Sequence, residues 1–121
     1  MNIVIDAADL AEITQTLVTR ALHSGSVFRT ALDAGITVFA YPSEKELLIG
    51  IGVGRDRLDA HTIDDILSRR FSSPQRYGGW LPALFADGGF YVMQRRPRSN
   101  ASGAYAPTTE EIGDALALLT A

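Results

Sequence analysis

The chain has 121 residues, of which 46% are hydrophobic and 21% charged, and it carries a formal net charge of -3 and no cysteine. This balance is typical of a folded protein with one core, so we expect residues 1–121 to form a single domain. Disulfides and thiolate metal sites are excluded, and the acidic charge disfavours a dedicated nucleic-acid binder. With no signal-peptide pattern and no membrane-length apolar stretch, the expectation is a cytoplasmic protein without membrane contact.

The charge is unevenly distributed along the chain. Residues 66–98 contain six arginines and one acid, Asp87. An excess of this kind fits a solvated basic face or a binding surface, and the sequence leaves both interpretations open.

The first half of the chain predicts a helix followed by a β-meander. Helical spacing of apolar residues indicates a helix over 8–23, with Asp9 and Glu12 as a capping box and Gly25 as its end. Three β-rich runs then follow at 26–32, 36–41 and 46–53, separated by turn-like segments.

The second half predicts a helix, a hairpin and a last helix. "AHTIDDILSRRF", residues 60–71, has helical periodicity with Asp59 as a possible N-cap, and Asp87-Gly88 marks a hairpin whose first arm contains Pro82 and is therefore an edge strand. Thr108 and Glu111 form a second capping box before the final helix, after a loop predicted over 97–107. The order α-β-β-β-α-β-β-α predicts an α+β fold with a mostly antiparallel sheet.

Candidate catalytic and ligand-binding motifs are incomplete. "GIGVGR", residues 50–55, has Arg55 where a dinucleotide fingerprint needs a third glycine, so its glycines are interpreted as points where a helix or a partner backbone approaches the sheet. His23 and His61 lack a second ligand at helical spacing, and Asp64 and Asp65 point in different directions on a helix. We therefore predict no catalytic, cofactor-binding or metal-binding residues and no cofactor, and expect the protein not to be an enzyme.

Apolar side chains crowd the predicted hairpin. Alternation along a strand places Phe90 and Val92 on one face of the sheet and Tyr91 and Met93 on the other. Both faces therefore carry apolar bulk, which fits either a two-sided core or a face covered by another chain.

The order of elements resembles the class I chaperones of type III secretion, the Tir-chaperone (CesT-like) family associated with virulence. The resemblance covers nearly the whole chain and includes an N-terminal amphipathic helix and a three-stranded meander, whose second and third strands are "ITVFAYPSEKELLIGIGVG". Its further segments are "TIDDILSRRF", "YGGWLPAL", "FYVMQRRPR" and "TTEEIGDALALL".

The resemblance implies a homodimer that binds the N-terminal segment of a secreted effector protein in hydrophobic grooves, without ATP or cofactor. It places the dimer interface at Ile63, Ile66, Leu67, Phe71, Trp80 and Leu84. It places effector-binding residues at Leu17, Val18, Phe28, Val38 and Phe39. On this assignment, Ile66→Asp is expected to split the dimer.

Two other classes of function stay open on the sequence alone. One is a different protein-binding α+β module, such as a regulator or an immunity protein. The other is a small-ligand binder or an enzyme, which would need a deep pocket with convergent polar groups.

Overall fold

The computed structural model describes residues 5–32, 35–58, 60–98 and 106–120. Its elements follow the predicted α+β order, with two short additions, a 3₁₀ helix at Arg55–Arg57 and one short α-helix. The helices are α1 (Ala7–Ser24), α2 (Ala60–Ser72), α3 (Pro74–Tyr77) and α4 (Thr109–Thr120). The strands are β1 (Phe28–Ala31), β2 (Ile36–Pro42), β3 (Glu46–Val53), β4 (Leu81–Leu84) and β5 (Phe90–Pro97).

The five strands form one antiparallel sheet in the order β1-β2-β3-β5-β4. Strand β3 is central and pairs along its whole length with β5 and over residues 47–53 with β2, so that Ile51 lies between Val38 and Val92. The predicted meander and hairpin are confirmed, and Pro82 does lie in an edge strand, β4. The α+β prediction is correct.

One face of the sheet, which we call the inner face, packs against the helices. Its strand residues are fully buried and belong to the same hydrophobic cluster as the apolar stripes of α1 and α4. The residues from the three central strands are Ile36, Val38, Ala40, Leu47, Ile49, Ile51, Val53, Phe90 and Val92. The single core predicted from composition lies between this face and the helices.

The start of α1 differs from the prediction. The N-cap is Asp6, whose Oδ1 accepts a hydrogen bond of 3.0 Å from the backbone N–H of Ala8, and Asp9 lies inside the first turn. A carboxylate is favourable at either position, because both lie beside the N–H groups at the start of the helix that have no partner within it. The sequence alone therefore does not decide which aspartate is the N-cap. The predicted end is confirmed, since Gly25 adopts the left-handed conformation with φ 71°.

The start of α4 confirms its predicted capping box. The backbone N–H of Glu111 donates to the hydroxyl of Thr108 at 3.1 Å, and the N–H of Thr108 donates to the carboxylate of Glu111 at 3.0 Å. Asp59, the N-cap predicted for α2, lies outside the described residues, as does most of the loop predicted over 97–107.

Asp87 and Gly88 lie in the turn between β4 and β5, as the sequence predicted. Gly88 has φ 89°, and Oδ1 of Asp87 accepts a hydrogen bond of 2.8 Å from the N–H of Gly89. The side chain of Asp87 therefore stabilises a turn that needs a glycine at the next position.

Candidate functional site: an apolar groove on the outer face of the sheet

The face of the sheet opposite the core, which we call the outer face, carries an open apolar groove of about 530 Å³. Alternate residues of the strands reach this face, and seven of the eight lining side chains are aliphatic, aromatic or methionine. These residues, hereafter the outer groove, are Val27, Arg29, Phe39, Tyr41, Leu48, Phe85, Tyr91 and Met93. Val27 is 54% exposed and Tyr41 48% exposed, so the groove presents apolar surface to solvent.

Two glycines of β3, hereafter the glycine floor, lie beneath aromatic rings of the outer groove. The ring of Phe39 fills the space that a Cβ atom at Gly50 would occupy, and the ring of Tyr91 does the same at Gly52. The glycines lie inside a strand, as predicted, where a helix or a partner backbone was expected to approach the sheet. Instead, aromatic rings of the neighbouring strands approach it most closely, and they can lie across β3 because the glycines have no side chain.

Three aromatic rings are held together over this floor. Phe85 stacks on Tyr91 with ring centroids 4.4 Å apart, and Phe39 meets Tyr91 edge-on at 5.5 Å. Such pairs contribute roughly 0.5–1.5 kcal/mol beyond the area they bury. The cluster is therefore preformed, and a bound apolar side chain would find its contacts already in place.

Arg29 is the one charged residue of the outer groove. Its guanidinium donates to the hydroxyl of Tyr91 at 3.4 Å and lies 3.9 Å from Oδ2 of Asp87. Both side chains of the ion pair are more than half exposed, so the pair contributes little to stability.

Four further large hydrophobic side chains are exposed on α2 and β4. Phe71 is 87% exposed and Leu84 64% exposed, and Leu67 and Leu81 are also exposed. The guanidinium of Arg70 donates to the backbone carbonyl of Trp80 at 2.8 Å, which ties α2 to the residue before β4. Phe71 exposes the most apolar surface of the four, and aromatic side chains are among those enriched at protein interfaces.

Some of the residues predicted for the dimer interface are exposed in the structure, and the others are buried. Leu67, Phe71 and Leu84 are exposed, and Ile63 is partly buried against the core. Ile66 and Trp80 are buried in the core of the same chain, and the indole N–H of Trp80 donates to the carbonyl of Glu111 at 3.0 Å.

This placement changes the meaning of an Ile66→Asp test. A carboxylate at this position would lie unpaired inside the chain's own core and would destabilise the monomer. Loss of a dimer in this variant would therefore not locate an interface. A test of the predicted interface needs substitutions at its exposed residues, Leu67, Phe71 and Leu84.

Most of the residues predicted to bind an effector belong to the core or pack against it. Leu17, Val18 and Val38 are buried in the core, and Phe28 packs against it. Only Phe39 lies in the outer groove. Strand alternation predicted that Tyr91 and Met93 lie on the face opposite Phe90. Val27, Tyr41 and Leu48 join them only through the order of the strands in the sheet, which the sequence does not show.

Most arginines of residues 66–98 make hydrogen bonds within the chain. Arg69 donates twice to the carbonyl of Leu118, at 2.7 and 3.1 Å, near the C-terminal end of α4, where a cation is favourable. Arg76 pairs with Asp114 at 2.8 Å, and Arg98 donates to the carbonyl of Ser43. These contacts join α2 and α3 to α4, and the residue after β5 to the turn between β2 and β3, so the arginine excess has a structural use that the sequence did not predict.

A polar cluster joins β5 to α4. The guanidinium of Arg96 and the amide of Gln94 both donate to Oε2 of Glu111, at 2.8 and 3.0 Å. Partial burial alone would raise the pKa of Glu111, but the backbone N–H of Thr108, the amide of Gln94 and the charge of Arg96 outweigh it and hold the pKa below its ordinary value of 4.5.

The described residues contain no group of three or more His, Cys, Asp or Glu side chains placed to hold a metal ion. His23 lies at the end of α1 and His61 at the start of α2, both exposed. Within the described ranges, no helix is both long and apolar enough to traverse a bilayer.

Comparison with known proteins gives a structural match at low identity. No protein-family model matches the sequence, and no curated protein matches it. A solved structure, described as the crystal structure of the ExsC-ExsE complex, aligns with 90% of this chain and 86% of its own chain, at 15% identity and a TM-score of 0.48. Similarity of this degree leaves the function to be inferred from the chain's own surfaces.

Proposed function

We propose that this protein is a non-catalytic, cytoplasmic chaperone of type III secretion that binds the N-terminal segment of an effector protein. The observation that carries the proposal is the outer groove, an open apolar surface with a preformed aromatic cluster. The resemblance of the sequence to class I secretion chaperones supplies the type of client.

The outer groove suits an extended, unfolded segment. It runs across neighbouring strands, from Val27 before β1 to Met93 on β5, and Val27 and Tyr41 expose it to solvent. An unfolded client can place successive apolar side chains in such a groove and bury a large area, which offsets the entropy lost when the segment becomes ordered.

The second part of the proposal is a homodimer formed through α2 and β4. Phe71, Leu67 and Leu84 expose apolar surface there, outside the outer groove. Burying these side chains against a second copy would remove apolar surface from water and leave the outer groove of each copy open.

Affinity capture from the native cells, followed by mass spectrometry, tests the proposal. The tagged wild-type protein is compared with Tyr41→Asp, which places a charge in the outer groove at a half-exposed position, and with Gln15→Asp, which adds the same charge on the exposed side of α1.

We expect one or a few secreted proteins in stoichiometric amount with the wild type and Gln15→Asp, and at least tenfold less with Tyr41→Asp. Deleting the N-terminal segment of the captured protein should abolish its recovery. A partner that is not secreted and is held through a folded domain would favour a different protein-binding module. Equal capture by all three proteins would contradict a role for the outer groove.

A further inference from the structure

Taking the proposed function as its basis, we propose that the segment bound in the outer groove carries a carboxylate beside its apolar side chains, and that Arg29 recognises it. Arg29 would then determine which apolar segments the groove accepts. The occupant is thus an acidic, apolar peptide rather than an apolar peptide of any charge.

The position of Arg29 is the first support for this proposal. Arg29 pairs with Phe39 across β1 and β2, so its side chain leaves the sheet beside an aromatic ring on the outer face. Its guanidinium reaches the hydroxyl of Tyr91 across the groove. A client side chain lying against Phe39 would therefore bring its neighbours within reach of the guanidinium.

The present partner of Arg29 is the second support. Asp87 is 3.9 Å away through Oδ2, at an exposed position, while its Oδ1 accepts the 2.8 Å hydrogen bond from the N–H of Gly89. The turn keeps that hydrogen bond when Arg29 moves. An incoming carboxylate can thus replace a weak contact without disturbing the hairpin.

The apolar surroundings are the third support. A bound segment would exclude water from the space between the aromatic rings, and a charge pair in such a space is stronger than one in open solvent. A lysine or arginine of the client placed against Arg29 would be repelled by its guanidinium, and it could use Asp87 as a counter-charge only by displacing Arg29 from it. The arrangement therefore favours acidic segments and disfavours basic ones.

Selection from a library of displayed random nine-residue peptides tests this inference. The targets are the wild-type protein, Arg29→Glu, and Arg20→Glu, which makes the same charge change at an exposed position on α1, outside the groove. Tyr41→Asp and the bare support measure background. Enriched peptides are then synthesised, and their dissociation constants are measured by fluorescence anisotropy.

We expect the wild type and Arg20→Glu to enrich peptides with spaced apolar residues and one Asp or Glu. Arg29→Glu should enrich the same apolar spacing with Lys or Arg. Replacing the acid of a selected peptide by its amide should weaken binding to the wild type about fivefold and leave binding to Arg29→Glu no weaker.

The alternative results separate the two proposals. Enrichment of the same peptides by the wild type and Arg29→Glu, without charge preference, would overturn the role of Arg29 and leave the outer groove as a peptide site. If the wild type enriched peptides no more strongly than Tyr41→Asp, both the role of Arg29 and the outer groove as a peptide site would be overturned.

Discussion

Gly50 shows how a single missing side chain shapes the proposed binding surface. The ring of Phe39 lies where a Cβ atom would stand, so Gly50→Ala must displace the ring or the strand. We expect the free energy of unfolding to fall by about 1–3 kcal/mol, as for other overpacked positions, and the aromatic cluster to be disturbed. Urea unfolding and near-ultraviolet circular dichroism measure the two effects.

Gly113→Ala is the matched control. Gly113 lies inside α4, and a Cβ atom there would meet only the side chain of Ala7, at 3.8 Å. Alanine is favoured over glycine within a helix by roughly 1 kcal/mol, so this variant should be as stable as the wild type or more stable. Equal stability of Gly50→Ala and the wild type would show that the outer groove does not depend on the glycine floor.

At the scale of elements, helix ends and strand alternation were predictable because their causes are local. Thr108 and Glu111 satisfy each other's backbone N–H groups three residues apart, and Gly25 ends α1 by a conformation that favours glycine. The N-cap of α1 was predicted three residues late, since Asp6 and Asp9 both suit a helix N-terminus. The short helix α3 was missed because its four residues follow Ser73 and precede two glycines, a composition typical of a loop.

The capping box of α4 makes the stability dependent on pH. The pKa of Glu111 is lower in the folded chain than its ordinary value of 4.5, so its contribution is complete above that value and is lost as the pH falls below it. We expect the difference in unfolding free energy between the wild type and Glu111→Gln to be largest near pH 6 and to shrink as the pH falls towards 3. Urea unfolding at several pH values measures this difference, and a difference constant over that range would contradict the assignment.

At the scale of the whole molecule, the groove could not be derived from the sequence, although its parts could. Alternation assigned Tyr91 and Met93 to one face of their strand, but Val27, Phe39 and Leu48 join them only through the order β1-β2-β3-β5-β4. Burial was equally hard to predict, because Ile66 and Phe71 are both large apolar residues of α2, yet one is fully buried and the other 87% exposed. Five residues apart, they lie about 140° apart around the helix, so Phe71 faces away from the core that buries Ile66.

The proposed homodimer is tested at this scale by Phe71→Asp. Because Phe71 is almost fully exposed, a carboxylate there leaves the monomer folded but places an unpaired charge in the proposed interface. We expect light scattering after size exclusion to report the mass of two chains for the wild type and one chain for the variant. Tyr41→Asp, in the outer groove, should remain dimeric, and a dimeric Phe71→Asp would exclude Phe71 from the interface.

The central claim is that an unfolded client segment occupies the outer groove, and the methyl group of Met93 reports on it directly. The chain has two methionines, and Met93 lines the groove. In protein labelled with ¹³C-methyl methionine, titration with the N-terminal segment of the captured client should shift the Met93 resonance of the wild type and leave that of Tyr41→Asp in place. Binding of the segment, seen by fluorescence anisotropy, with an unchanged Met93 resonance would contradict the claim.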